Sequence, residues 1–361
     1  YNYTGNFNWQ RGSEALAGVT SDEGIPLGLV NTIQNNNTKT ITGAVSFSKL
    51  YSALGLQPKK SRFQSGVKAV QIKDSTKKKN TILKKGLTKI VDILTAIKRV
   101  QASYNENNGS VLPGYLPSVG FAGGLKPSIG YTLGSQADIR YETARQGWLT
   151  EFPNFNQLYT QLKSSKFKIS AQVVPLKGLL IDFNADRDFT ENQLENFKVE
   201  DQVYLPQNTS ILGNFGMSTV LLKTAFNQSK SSVSINFNKF REFRSIIANR
   251  LVESTVFSGL GDDKEGYPLG FGKNQQSVLL HSFVAAYSGS DPSRIQLNPI
   301  KNTPLPNWNL KFTGLTEIKS ISRIFNRLSL NHAYRASYTL TNFQSNFDYD
   351  PNIPNQTDKS G

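Results

Sequence analysis

The chain has 361 residues, a formal net charge of +15, no cysteine and 2 histidines, His281 and His332. Without cysteine there is no disulfide scaffold and no thiolate metal site, and two distant histidines fit none of the common zinc spacings. Aromatic residues at 11% exclude a mostly disordered chain, and no run of about 18 apolar residues could make a membrane-spanning helix. A mean hydropathy of -0.39 then suits a β protein whose strands keep one face in water, in solution or as a membrane barrel.

Period-two alternation opens at the first residue, with Tyr1, Tyr3, Phe7 and Trp9 on one face. A strand already under way at Tyr1, and a polar tail to Gly361, are read as signs of a piece of a longer chain. Ile41, Val45, Phe47 and Tyr51, with Gly43 among them, make a second run. Residues 52–96 form a basic insertion, in which lysines and arginines are opposed only by Asp74 and Asp92. Within it Ile82, Leu87, Ile90, Leu94 and Ile97 recur at helical spacing, with Lys84, Lys85 and Lys89 off the stripe. This is expected to be an interfacial helix on the periplasmic rim, its lysines meeting anionic headgroups. Nucleic acid is a poor partner for it, because only Phe63 interleaves the lysines as a stacking platform.

A strand near Val100 reaches Tyr104. Residues 107–165 read as loop, with a candidate strand at 128–134 where Ile129, Tyr131 and Leu133 alternate. The clearest hairpin follows. Phe167, Ile169, Ala171 and Val173 alternate against lysine, serine and glutamine, and Leu179, Ile181, Phe183 and Ala185 alternate against Asp182, Asn184 and Asp186. Pro175–Gly178 is the turn between them, with glycine placed for positive φ. Residues 215–226 read as a strand, and 227–306 as a helical and loop insertion carrying helices at Phe240–Leu251 and Val278–Tyr287. A strand at Trp308–Phe312, a short helix from Ile318 to Phe325 and one long strand from Leu328 to Leu340 complete the order.

An echo links Gly86-Leu87-Thr88 to Gly314-Leu315-Thr316, each opening a helix that runs into a strand. Two copies of one module belong on the same side of a membrane. The crossings near Val100, Ile169, Ile181, Val220 and Leu310 are odd in number, so residues 128–134 are expected to supply another.

No constellation points to an enzyme. Five residues separate Gly266 from Gly272-Lys273, where a phosphate loop needs four before Gly-Lys, and Asn274 stands where Ser or Thr would hold magnesium. Asp182 and Asp186 share the water-facing side of their strand, so solvation explains them better than acid–base work. His332 lies on the apolar face of its strand, better suited to an interface than to catalysis.

Six segments, in order, resemble the SprA/Sov family, the outer-membrane translocons of type IX secretion in the Bacteroidetes. They are SYNENNGSVLPGYLP (103–117), LGSQADIRYETARQGWL (133–149), LLIDFNADRDFTE (179–191), FREFRSIIANRL (240–251), PLPNWNLKFTGL (304–315) and LSLNHAYRASYT (328–339). The positions that carry the likeness are Asn108, Gly109, Leu112, Pro113, Gly114, Gly134, Gln136, Asp138, Ile139 and Trp148. Asn249, Arg250, Pro306, Asn307, Trp308, His332 and Tyr334 continue it. The resemblance implies a mainly β chain, a segment of a very large antiparallel transmembrane β-barrel with amphipathic helical insertions, located in the cell outer membrane. It implies a pore for folded cargo proteins, a PorV-like barrel partner, a periplasmic plug protein, support of gliding motility, and neither catalytic residues nor cofactors. A TonB-dependent receptor barrel and a soluble secreted β-sandwich adhesin remain alternatives.

Overall fold

The computed structural model describes residues 1–53, 95–118, 126–230, 233–253, 261–298, 300–301 and 303–345. The interfacial helix expected around Lys84, Lys85 and Lys89, and Gly86 of the echo, lie outside them.

The strands in chain order are β1 (Asn2–Gln10), β2 (Asn31–Ser46), β3 (Ile97–Tyr115), β4 (Tyr159–Leu176), β5 (Leu179–Glu200) and β6 (Val203–Ser218). The two-residue β7 (Ser229–Lys230) and β8 (Val233–Ser234) pair only with each other, and β9 (Asn307–Phe312), β10 (Leu330–Tyr334) and β11 (Ser337–Ser345) follow. Helices are α1 (Phe47–Ala53), α2 (Ile129–Thr132), α3 (Arg140–Arg145), α4 (Ile235–Val252), α5 (Gln276–Ser288) and α6 (Lys319–Ser322).

Nine strands form one antiparallel sheet, a meander from β1 to β6 that ends on β11, with β9 beside β5 and β10 beside β9. The chain is therefore mainly antiparallel β. The sheet is open: among the described residues β1 and the β10/β11 edge do not meet.

Alternation sets the strands, and turn chemistry sets their register. β4 and β5 close at Leu176 opposite Leu179, with Gly178 at φ 83°. The expected hairpin is present, with a tighter turn and longer strands, 18 and 22 residues. At the other edge Asp201 and Gln202, at φ 49° and 63°, link β5 to β6 with Glu200 opposite Val203. Two successive left-handed residues match the twist of a tight hairpin.

Several expectations are corrected. Residues 107–165 are not all loop: β3 runs on to Tyr115 and β4 begins at Tyr159. Residues 128–134 are not a strand. Ser128 caps α2 by accepting the Tyr131 N–H at 3.1 Å, and Gly134 at φ 91° follows the turn, so capping overrides three alternating residues. The strand read at 215–226 starts earlier, at Val203, and stops at Ser218. There the Ser218 hydroxyl accepts the Asp186 N–H at 3.0 Å and donates to the Leu305 carbonyl at 2.7 Å, which replaces the ladder. The long strand at 328–340 is broken at Arg335–Ala336, where the Ala336 N–H turns to the Asn307 side chain at 2.9 Å. The helix read from Ile318 to Phe325 shrinks to α6 behind a 3-10 turn at Gly314–Glu317.

β6 and β9 run in the same direction beside one strand. Arg187–Glu200 of β5 pairs with β6, and Leu179–Asn184 pairs with β9. They are two halves of one strand position, split by the excursion through α4 and α5. β10 and β11 lie in line against them in the same way, so nine strands fill seven positions. Val220 and Leu310 thus mark one crossing and not two. Four crossings separate the β2–β3 connection from the β9–β10 connection, and both leave the sheet at the edge carrying Lys177–Gly178.

The main core lies at the opposite edge. There residues 126–158 fold over one face, packing Tyr131, Ala144 and Leu149 on Ile33, Leu112, Tyr159, Phe197 and Tyr204. Smaller clusters join α4 to α5, through Ala248, Val252 and Val278 and through Ile247 and Ala285.

Candidate functional site

The register resolves the sheet into two faces of opposite chemistry. Near the Lys177–Gly178 edge, one face carries the row Val45, Val100, Ala171, Phe183, Trp308 and Tyr334. The next row is Val173, Ile181, Leu310 and His332, and the last is Leu179, Phe312 and Leu330. Val45 is 50% and Leu330 54% exposed, His332 is exposed, and the others are half-buried. Trp308 stacks on Tyr334 at 4.5 Å and His332 at 6.5 Å, an aromatic cluster inside the band. Ile41, Tyr104, Phe167, Arg187, Met217 and Tyr338 close the band on the far side. Phe167 to Leu176 then spans about 30 Å of strand at about 3.3 Å per residue, or about 25 Å of depth at a tilt of about 35°.

The other face is polar along the same rows. Thr42, Ser103, Lys168 and Asp186 share one row, and Ala44, Gln101, Ser170, Asn184 and Asn307 the next. Two shallow grooves of about 470 and 410 Å³ run along β3, β4 and β5 on this side. Their polar groups engage one another: Lys166 pairs with Asp188 at 3.1 Å, and Gln172 donates to Asp182 at 3.1 Å.

Beyond the band, residues 126–158 are strapped onto the first face. The Asn35 amide donates to the carbonyls of Tyr131 and Ser135 at 3.1 and 2.6 Å, and Asn37 donates to that of Gly134 at 2.7 Å. Gly134 is required here, since a Cβ would stand 2.8 Å from the Asn36 carbonyl oxygen. The Arg140 guanidinium reaches Asp138 at 2.8 Å and the buried Glu195 at 2.5 Å, over the Tyr159 ring at 4.5 Å. Glu195 also accepts from the Tyr204 hydroxyl at 2.7 Å. Burial, then this hydrogen bond, pushes Tyr204 far above its ordinary range. Burial lifts Tyr131 to about 12. Burial works against ionised Asp138, but its hydrogen bonds and charge pairing with Arg140 prevail and hold it below the carboxylate range.

The positions behind the resemblance fall into three places. Asn108, Gly109, Leu112, Pro113 and Gly114 lie on β3 and Gly134, Gln136, Asp138, Ile139 and Trp148 on the strap; Ile139 and Trp148 pack on the cluster that holds Leu112, Asn108 and Gln136 line one groove, and Gly134 sits against Asn36 of β2. Gln136 donates to Asn35 at 3.0 Å, Asn108 to Glu106 at 2.6 Å, and Trp148 stands edge-on to Tyr115. Asn249 and Arg250 lie on α4, where Arg250 donates to the carbonyls of Pro292 and Ile295 at 2.6 and 2.9 Å. Pro306, Asn307, Trp308, His332 and Tyr334 gather where β6 hands over to β9, with the Tyr334 hydroxyl accepting the Leu221 N–H at 2.6 Å. No group of three or more His, Asp or Glu side chains able to hold a metal occurs among the described residues.

Sequence reasoning missed Arg140, Glu195 and Tyr204, which are far apart in the chain. It also missed Ser218, one serine among many. Asp138 two residues before Arg140 is the only local signal of the first cluster. No known family model and no curated protein matches the chain.

Proposed function

We propose that the chain forms part of the wall of a wide transmembrane β-barrel that passes folded proteins across an outer membrane, as the SprA/Sov resemblance implies. One observation carries the membrane reading: a sheet with a half-open apolar band about one bilayer core deep on one face, and a mainly polar face, broken by Ala44 and Leu180, on the other. In a barrel the band meets lipid and the polar face meets the water-filled pore, while strand pairing leaves no backbone group unsatisfied in hydrocarbon. A pore wall for folded cargo needs polar groups already engaged with neighbours, so that cargo slides past without being bound. The Lys166–Asp188 and Gln172–Asp182 pairs fit that need.

A soluble sandwich is disfavoured. It buries its apolar face against a second sheet and uses strands of about 5–6 residues, whereas β2 to β6 run 16–22 residues and no second sheet lies over the band among the described residues. Closure of the barrel, the PorV-like partner and the periplasmic plug protein belong to the same proposal and rest on the resemblance.

The test is made in the host cell with the full-length protein. It should stay in outer-membrane fractions through alkaline carbonate and leave only with detergent. Its depletion should strand folded cargo in the periplasm and stop gliding. Release by carbonate would sink the membrane reading. Normal surface cargo after depletion would sink the translocon reading alone.

A further inference from the structure

The excursion between β6 and β9 leaves the sheet on the apolar face. Residues just after Ser218 pass over the band, since the Leu221 N–H meets the Tyr334 hydroxyl, two rows into it. Thr224 then bonds the carbonyl of Tyr287 at the end of α5, and Asn227 bonds Asn236 at the start of α4 at 2.7 Å. Around this point lie aromatic side chains left about half or more exposed among the described residues. Phe226 is 88%, Phe237 49% and Phe283 46% exposed. Phe237 adjoins Phe240, which meets Phe283, which stacks on Tyr287 at 4.3 Å. Exposed Lys223 and Arg241 flank the patch, the Arg244 guanidinium lies 5.7 Å over the Phe240 ring, and the one acid on α4 is Glu242.

Isolated exposed apolar residues need no explanation, but a connected aromatic patch with a cationic rim does. Two observations select its occupant. The segment that leads into the patch is tied to the band by the bond from the Leu221 N–H to the Tyr334 hydroxyl, five residues before Phe226, so the unit stands beside the band on the same face. The sign of the rim suits phosphate headgroups, the pattern of an amphipathic element lying in a membrane interface. We infer that the aromatic patch of the α4–α5 unit seats in the interfacial zone of an anionic bilayer beside the wall, making this unit a membrane-resting flange and not a free external domain. The inference rests on the membrane reading of the band.

These 361 residues hold no cysteine, and any elsewhere in the full-length protein is replaced by serine before labelling. Nitroxides are placed at Phe226→Cys and Phe237→Cys, with Ile169→Cys as the band reference and Gln172→Cys as the pore-face reference. The full-length protein is reconstituted in bilayers with and without anionic lipid, and collision with oxygen is compared with collision with a water-soluble nickel complex. The inference expects oxygen preference several-fold higher at 226 and 237 than at 172, strengthened by anionic lipid. Lipid contact at 169 with water contact at 226 and 237 overturns the flange and leaves the barrel reading intact. Lipid contact at 169 with 226 and 237 shielded from both reagents overturns it in favour of a protein partner. Water contact at 169 overturns both readings.

Discussion

Arg140 shows how one side chain can fix a segment that the sheet alone would not hold. Its guanidinium is buried among Tyr141, Tyr159 and Tyr204 and answers two carboxylates, Asp138 on its own segment and Glu195 on β5. Removing one partner of a buried pair leaves the other charge unpaired, at a cost of about 3–5 kcal/mol. Arg140→Ala should therefore lower stability by about 3 kcal/mol in detergent denaturation and open residues 126–158 to protease. Arg145→Ala, whose pair with Glu142 is exposed, should change either by less than about 0.5 kcal/mol. Equal effects from the two substitutions would show that Arg140 does not anchor the strap.

Strand identity was largely readable from the order of residues, and strand ends were not. Alternation located β1, β4, β5, β9 and the last part of β2, because a sheet with unlike faces needs it at every second residue, but Phe47 and Tyr51, read as continuing that run, belong to helix α1. Cysteines at Ala171 and Phe183, paired across the β4–β5 hairpin, should form a disulfide on mild oxidation, while Ala171→Cys with Asp182→Cys, on opposite faces, should not. A disulfide in the second pair would mean a register one residue away. The breaks at Ser218 and at Arg335–Ala336 escaped notice because the apolar run of 215–226 and the alternation of 328–340 continue straight through them. They come from long-range bonds, Ser218 to Leu305 and Asn307 to Ala336, that no local pattern announces. Residues 128–134 failed for the reverse reason, since a serine cap before a helical turn can imitate a short strand.

The two faces of the sheet impose opposite tolerances on neighbouring residues. Ile181 lies in the apolar band and Asp182 on the polar face. If the band faces lipid, lysine costs about 2–4 kcal/mol at its middle and less toward its rim, where Ile181 lies, and lysine toward a water-filled pore costs little. Ile181→Lys should then deplete folded protein in outer-membrane fractions, measured by heat-dependent gel mobility, while Asp182→Lys should leave its level near wild type. Similar losses for both would argue that water reaches each face. The grouping of Asn307, Trp308, His332 and Tyr334 at the split strand could be listed from sequence as a motif, but its meaning depends on β9 returning to the position that β6 vacates.

That return has an evolutionary consequence. Ser218 and Leu305 exchange a backbone bond of 3.0 Å and a side-chain bond of 2.7 Å, so the excursion departs and arrives through one doorway. The entropy of closing such a detour rises only slowly with its length. Segments at this doorway can be lengthened, shortened or exchanged between lineages while the ladder on either side keeps its register. The sheet can thus be inherited as a fixed frame, and what hangs beside it can diverge freely.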